Sequence, residues 1–177
     1  YNEKCIRSNK LCLILGDNVM FGKGMAGRIT QAMNRDECVI IVGYRVRDPH
    51  RDGVEEFDRN LRAVSIEEKP EYPRSNYAVT GLYFYAPDIV SGAHQVRTSK
   101  RGELEITSVN NIYFERGLLK VEIMGRGIVW LDTGSHDALL EAMWFVLAVE
   151  TRQGTKIACL LLLPCRHGYI SNVAVLH

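Results

Sequence analysis

Two aspartates stand at matching places in the chain. Asp17 follows one apolar run as Leu15-Gly16-Asp17, and Asp132 follows another as Trp130-Leu131-Asp132-Thr133-Gly134. Ligands of open α/β sheets bind at the carboxyl ends of the strands. Two carboxylates delivered there can hold one Mg2+, a hard cation that commonly takes one or two carboxylates and leaves its other positions to water and phosphate oxygens. Any single strand-end aspartate more often caps a turn, so the pair carries the metal reading. Lys69 and Arg101 are candidate phosphate contacts, one a point charge and the other a bidentate fork. Glu68 can accept hydrogen bonds from sugar hydroxyls. On residue type alone, solvated charges on turns remain the commoner reading of these three. The five histidines are scattered, and no Ser or Cys sits at a nucleophile elbow, so covalent hydrolase chemistry has no support. Gly22-Lys23-Gly24 and Gly125-Arg126-Gly127 are too short for phosphate loops and read as turns. No intact Walker or Rossmann fingerprint occurs.

The elements that must position these residues begin with an apolar run at residues 11–15, stopped by Gly16-Asp17-Asn18. It reads as a central parallel strand buried on both faces. Met25, Ile29, Ala32 and Met33 form a helical stripe ending at Asn34, and the β-branched run at 38–44 follows, giving the order of a βαβ unit. Residues 48–53 form a turn, and 54–57 and 61–66 a hairpin through Asp58-Arg59-Asn60. Glu67, Glu68 and Lys69 then fall at a strand end closed by Pro70. Residues 77–85 carry the strongest strand signal in the chain and belong near the sheet centre. A helix runs from Glu103 to Gly117, with Thr107, Asn110 and Asn111 on its more polar side. Residues 121–124 and 128–131 are short strands that can pair or bulge around Gly125-Arg126-Gly127. Ser135 is placed to cap a helix over 136–151, whose apolar stripe includes Leu139, Leu140, Ala142, Met143, Phe145, Val146 and Val149.

Composition narrows the function classes. The chain has 177 residues, 22 Lys+Arg against 21 Asp+Glu, and 46% hydrophobic residues. A domain of this length can bury roughly 70% of its unfolded surface. A net charge of +1 without a basic cluster argues against nucleic acid as a partner. No apolar run approaches the ~20 residues of a membrane span. The five cysteines show no metal or CxxC spacing, which reads as free, mostly buried thiols in a reducing cytoplasm. There is no internal repeat and no linker. The opening Tyr1-Asn2-Glu3-Lys4-Cys5 has neither an initiator Met nor the order of a signal peptide, and reads as the middle of a longer protein.

Five segments, in order and with matching spacing, carry a family resemblance over about residues 11–159. They are Leu15-Gly16-Asp17-Asn18, Ser65-Ile66-Glu67-Glu68-Lys69-Pro70, the run at 75–85 from Ser75-Asn76 to Phe84-Tyr85, Arg101-Gly102-Glu103-Leu104-Glu105-Ile106-Thr107, and Trp130-Leu131-Asp132-Thr133-Gly134. Together they resemble the glucose-1-phosphate thymidylyltransferases of the sugar nucleotidyltransferase family. The resemblance implies an α/β, Rossmann-like three-layer fold with a mixed central sheet flanked by helices. It implies Mg2+-dependent nucleotidyl transfer from dTTP to glucose 1-phosphate, giving dTDP-glucose and pyrophosphate for deoxysugar and rhamnose synthesis, in a cytoplasmic homo-oligomer. Asp17 and Asp132 match the family's magnesium-binding aspartates. Gly53, Glu68 and Val79, the last through its main chain, match sugar-holding positions. Lys69 and Arg101 match basic residues at the sugar phosphate, and Trp130 a residue that shapes the sugar pocket.

Three departures accompany the resemblance. The family's N-terminal section is absent, with its Gly-rich loop, its Lys for the triphosphate and its base-reading residues, so the expected fold lacks its first strands. The chain then reads as one partial domain, with a core and sugar-binding part over about 1–156 and an unplaced tail over 157–177. Asp52 replaces a Tyr before Gly53 and sets a negative charge near a sugar phosphate. The tail at 159–164 is apolar where the family has an acidic helix start. Related readings are a nucleotidyltransferase using another nucleotide and an inactive sugar-phosphate-binding remnant.

Overall fold

Alternating and continuous apolar runs set a mixed sheet that helices cover from both sides. The computed structural model describes residues 6, 9–35, 39–99, 102–159 and 169. They fall into two compact units, one up to Trp130 and one from Leu131 onward. The elements run β1 (Leu11–Ile14), β2 (Asn18–Gly22), α1 (Met25–Met33), β3 (Val39–Arg45), β4 (Gly53–Phe57), β5 (Ala63–Glu68), β6 (Tyr77–Tyr85), α2 (Ile89–Ala93), α3 (Ile106–Glu115), β7 (Leu119–Ile123), β8 (Ile128–Asp132) and α4 (His136–Gln153).

Within the first unit β6 is the axis, as its aromatic and β-branched sequence predicts. All of it except Tyr77 is buried. One edge pairs antiparallel with β3, which continues in parallel to β7. The opposite edge pairs antiparallel with β4 at Tyr77 and Ala78 and with β1 from Leu82 to Tyr85. β4 and β5 form the expected hairpin. Its turn is held by the Asp58 carboxylate, which accepts from the backbone N–H of Asn60 at 2.8 Å and of Arg62 at 2.9 Å, and this holds the carboxyl below its usual range. On one face of the sheet Ile40, Val42, Leu82 and Phe84 pack with Ala32, Met25 and Ile29 of α1. On the other, Ile41, Val79, Tyr83, Tyr85 and Val121 pack with Ile89 of α2 and with Val109 and Tyr113 of α3. The three-layer expectation holds.

Several local expectations are corrected. β1 is antiparallel to its partner β6, not a central parallel strand, and its side chains alternate, with Ile14 62% exposed. It runs parallel to β3 with β6 between them, because the longer and more apolar β6 takes the central place. Residues read as a turn after it begin β2, which pairs with β8 in a separate two-stranded sheet. β7 and β8 therefore do not pair with each other: β7 joins β3 and β8 joins β2. Glu67 and Glu68 are the last two residues of β5, at the strand end as expected, while α2 escaped the sequence reading. α3 starts at Ile106, and Thr107 and Asn110 face inward, buried, rather than lying on a polar outer side.

The second unit holds α4. Ser135 caps it as expected, its hydroxyl oxygen accepting from Ala138 N–H at 3.2 Å, and Gly154 ends it in the left-handed conformation. The apolar stripe is not a buried one. Of its residues only Ala142 is buried, while Leu139, Leu140 and Met143 are exposed. Of the two described thiols, Cys12 is exposed and Cys159 half-buried rather than buried, and both are free as expected. Cys5, Cys38 and Cys165 lie outside the described residues, as do Arg101 and the leucines at 160–163. Among the described residues no helix is long and apolar enough to cross a membrane.

Candidate active site

Strand pairing along one edge of β6 is interrupted. β4 reaches only Tyr77 and Ala78, and β1 begins at Leu82. Between them Gly81 offers its carbonyl to the Leu15 N–H at 2.8 Å. Main-chain polar groups alternate in direction along a strand, so the N–H and C=O of Val79 turn toward the same edge as those of Gly81. That edge opens beside the start of β4. Gly53, the first residue of β4, pairs with Glu68 at the end of β5. A Cβ added to Gly53 would lie 3.4 Å from Glu68 Oε2, 3.6 Å from Thr107 Oγ1 and 3.7 Å from Val79 Cβ. Three residues singled out from the sequence, Gly53, Glu68 and Val79, thus meet around one small volume.

Thr107 is the member that sequence reasoning missed. Its hydroxyl donates to Glu68 Oε2 at 2.5 Å, fixing one carboxylate oxygen of a half-buried side chain. The available signal was Thr107 two residues after Glu105 in the resemblance motif, but helical periodicity put it outside. Tyr83 stands close by on β6, and its hydroxyl is pushed well above its usual range by burial and by the charges of Glu68 and Glu55. It is a neutral donor at any ordinary pH.

Lys69 follows Glu68 with φ of 42°, a left-handed conformation that a non-glycine residue adopts only when its surroundings hold it. Its backbone N–H donates to the Asp52 carbonyl at 3.1 Å, and its side chain is exposed. Strain and exposure meet on the lysine expected at a phosphate. Arg101 lies outside the described residues, between Ser99 and Gly102, whose backbone hydrogen bond is 2.9 Å.

A second group forms around β2. The Trp130 indole N–H donates to Asn18 Oδ1 at 2.5 Å, and the Asn18 amide donates to Asp17 Oδ1 at 2.9 Å. The Trp130 ring, nearly buried, meets Tyr44 edge-on at 5.8 Å between centroids. Asp17 is exposed. Asp132, in the second unit, is exposed as well and accepts from the Gly134 N–H at 3.2 Å. Exposed carboxylate oxygens after strands are the hard donors that a magnesium ion takes, so the donor chemistry of both residues fits it. Among the described residues no three His, Cys, Asp or Glu side chains cluster as a metal site, which leaves any such ion to depend on water and substrate for its other ligands.

Beside the group of Gly53, Glu68 and Thr107, further along β4, lies an acid that the group does not use. Glu55, two residues after Gly53 and on the same face of β4, is fully buried, and both of its carboxyl oxygens lack a hydrogen-bond partner. Burial pushes its pKa well above the usual carboxylate range. A Cβ on Gly43 would lie 1.8 Å from Glu55 Oε1, so only glycine leaves room for this acid.

The chain has relatives along most of its length. A glucose-1-phosphate thymidylyltransferase of Neisseria meningitidis serogroup A is 46% identical over 170 residues, 96% of this chain and 59% of the relative. One of Xanthomonas campestris pv. campestris is 47% identical over 148 residues, 84% of this chain and 50% of the relative. Among solved structures, a Bacillus anthracis protein assigned as a glucose-1-phosphate thymidylyltransferase, in complex with a sucrose, has a TM-score of 0.70 at 36% identity. It covers 81% of this chain and 56% of that one. A UDP-glucose pyrophosphorylase complexed with UDP-glucose shares the fold, with a TM-score of 0.74 at 22% identity over 82% of this chain and 59% of that one. The chain therefore spans no more than about three fifths of the length of these relatives. Residues 1–149 match the family model described as Nucleotidyl transferase, and with that match over most of its length the chain belongs to the nucleotidyl transferase family.

Proposed function

We propose that this chain is the sugar-binding part of a glucose-1-phosphate thymidylyltransferase. The convergence of Gly53, Glu68, Val79 and Thr107 where β6 passes from its pairing with β4 to its pairing with β1 carries this reading. Gly53 leaves the volume open, Glu68 presents a carboxylate oxygen already oriented by Thr107, and the Val79 main chain borders the same volume. Such a set suits a polyol, whose hydroxyls need fixed partners on more than one side. Trp130 adds an apolar wall.

In the reaction a phosphate oxygen of glucose 1-phosphate forms a bond to the α-phosphorus of dTTP. The bond between that phosphorus and the bridging oxygen to the β-phosphate breaks, and pyrophosphate leaves with the electron pair. No protein nucleophile is required, and the chain supplies positioning and charge. Lys69 and Arg101 are the proposed contacts to the sugar phosphate. Asp17 and Asp132 are the proposed carboxylate ligands for Mg2+, which when bound neutralises developing charge on the phosphates. Residues 1–156 are proposed to work as one partial catalytic domain, with 157–177 as a tail, in a cytoplasmic homo-oligomer serving deoxysugar synthesis.

An inactive sugar-phosphate binder is the second reading, favoured by two acids that flank Gly53: Asp52 beside it and the buried Glu55 further along β4. Pyrophosphate release from dTTP and glucose 1-phosphate with Mg2+ separates the two. Turnover, on this chain or on the product of the complete reading frame, supports the transferase. Glucose 1-phosphate binding by both without turnover supports the second reading.

A further inference from the structure

Asn18 bridges the two proposed functions of the β2 region. Its carboxamide orientation follows from its partners: the Trp130 indole can only donate, and the Asp17 carboxylate can only accept. Oδ1 must therefore face Trp130 and Nδ2 must face Asp17, as observed at 2.5 Å and 2.9 Å. The amide also lies against the backbone of β6, where a Cβ on Gly81 would come within 2.8 Å of Asn18 Nδ2 and of Leu15 Cβ. Gly81 is the floor that lets the amide sit this low. On the far side the Trp130 ring is braced by Tyr44. A side chain held by an indole, a carboxylate and a glycine floor has little freedom to turn.

We propose that Asn18 is a positioning residue that ties the orientation of the Asp17 carboxylate to the seat of the Trp130 indole, so that divalent-cation binding and sugar-phosphate binding are coupled through it. The proposal rests on the assignment of Asp17 to the metal and of Trp130 to the sugar pocket. A movement of the indole by an arriving sugar shifts the amide and with it the carboxylate oxygen. The coupling is reciprocal: the factor by which the cation raises sugar-phosphate affinity equals the factor by which the sugar phosphate raises cation affinity.

Titration of the intact chain with Mn2+, read from the EPR signal of the free ion with and without glucose 1-phosphate, tests this without any turnover. Trp130→Phe keeps a ring but removes the indole N–H. It is expected to weaken Mn2+ binding about tenfold, the scale on which partners of metal ligands act, with the effect carried to Asp17 through Asn18. Asn18→Leu is expected to weaken Mn2+ to a similar degree and to abolish the mutual enhancement, and the double variant to be no weaker than Asn18→Leu alone. If Trp130→Phe and Asn18→Leu both bind Mn2+ as the parent does while Asp17→Asn loses it, the coupling is wrong and the metal assignment stands. If Asp17→Asn binds Mn2+ unchanged, the metal assignment falls and takes the coupling with it. Should Asn18→Leu fail to fold, Trp130→Phe decides alone: tenfold weakening supports the coupling and unchanged affinity overturns it.

Discussion

Glu68 and Glu55 sit on neighbouring, paired strands and differ in what meets their carboxyls. Glu68 is half-buried and receives the Thr107 hydroxyl on one oxygen. Glu55 is fully buried and receives nothing on either. The first has acceptor capacity left for a ligand, since only one of its oxygens is engaged. Burial pushes the second toward its protonated form, because ionising it in the core without a partner is costly. One amino acid thus stands as a proposed recognition group in one place and as a load on the fold in the other. The deciding factor is a single donor on α3.

The largest test of that contrast is Glu68→Gln. It is expected to lower kcat/KM for glucose 1-phosphate about 100-fold in a steady-state assay of the active protein, the scale of a lost charged hydrogen bond. Parent-like kinetics would erase the distinction between the two acids. Next comes Glu55→Val, expected to raise stability at pH 7 by about 2 kcal/mol in urea denaturation, as a buried polar group without partners is exchanged for an apolar one. The pH dependence has a definite sign. With the folded-state pKa raised, the folded chain binds more protons than the unfolded one, so the contribution of Glu55 is fully present below the usual glutamate range and is lost as pH rises through the folded-state value. Glu55→Val should remove that decline with rising pH, and an unchanged slope in melts at several pH values would refute it.

Thr107→Val keeps the shape but deletes the donor to Glu68. We expect kcat/KM to fall about tenfold, with melting little changed, since one hydrogen bond is lost at the site. A drop in stability without a kinetic effect would make Thr107 a core residue only. The smallest effect belongs to Asp52→Tyr. Removing a charge beside Lys69, which already takes the Asp52 carbonyl on its backbone N–H, should tighten glucose 1-phosphate binding about threefold in calorimetry. Equal or weaker affinity would show that the acid is neutral to the site.

Legibility in the sequence followed the strength of local pattern. β6 was readable to its last residue because aromatic and β-branched residues dominate its nine positions, and the β4–β5 hairpin because Asp58 signals its own turn. Helices α3 and α4 were located from spacing and caps, yet the inside and outside of each were misjudged. Thr107 and Asn110 of α3 point inward because Glu68 and the Tyr85 hydroxyl, which donates to Asn110 Oδ1 at 2.6 Å, give them partners there. Partners lie on other strands, so no window along the helix reveals them. The exposed Leu139, Leu140 and Met143 of α4 make the converse point: an apolar stripe records what a surface is made of, not what covers it. Gly53, Glu68 and Val79 were found by motif, whereas Asn18 stood in the Leu15-Gly16-Asp17-Asn18 motif and was passed over as a turn residue.

The two groups of the first unit also differ in how far apart their members lie along the chain. Gly53 and Glu68 belong to one hairpin, and Asn18 and Trp130 are 112 positions apart. Closing a short loop is fast and closing a long one is slow. On a ribosome, therefore, the hairpin with its glycine and glutamate can form as soon as it emerges, while β2 waits for β8 to be synthesised before it has a strand to pair with. The carboxylate at Asp17 acquires its final bearing late in synthesis, and a nascent chain stalled before residue 128 would carry a finished β4–β5 hairpin and an unanchored Asp17.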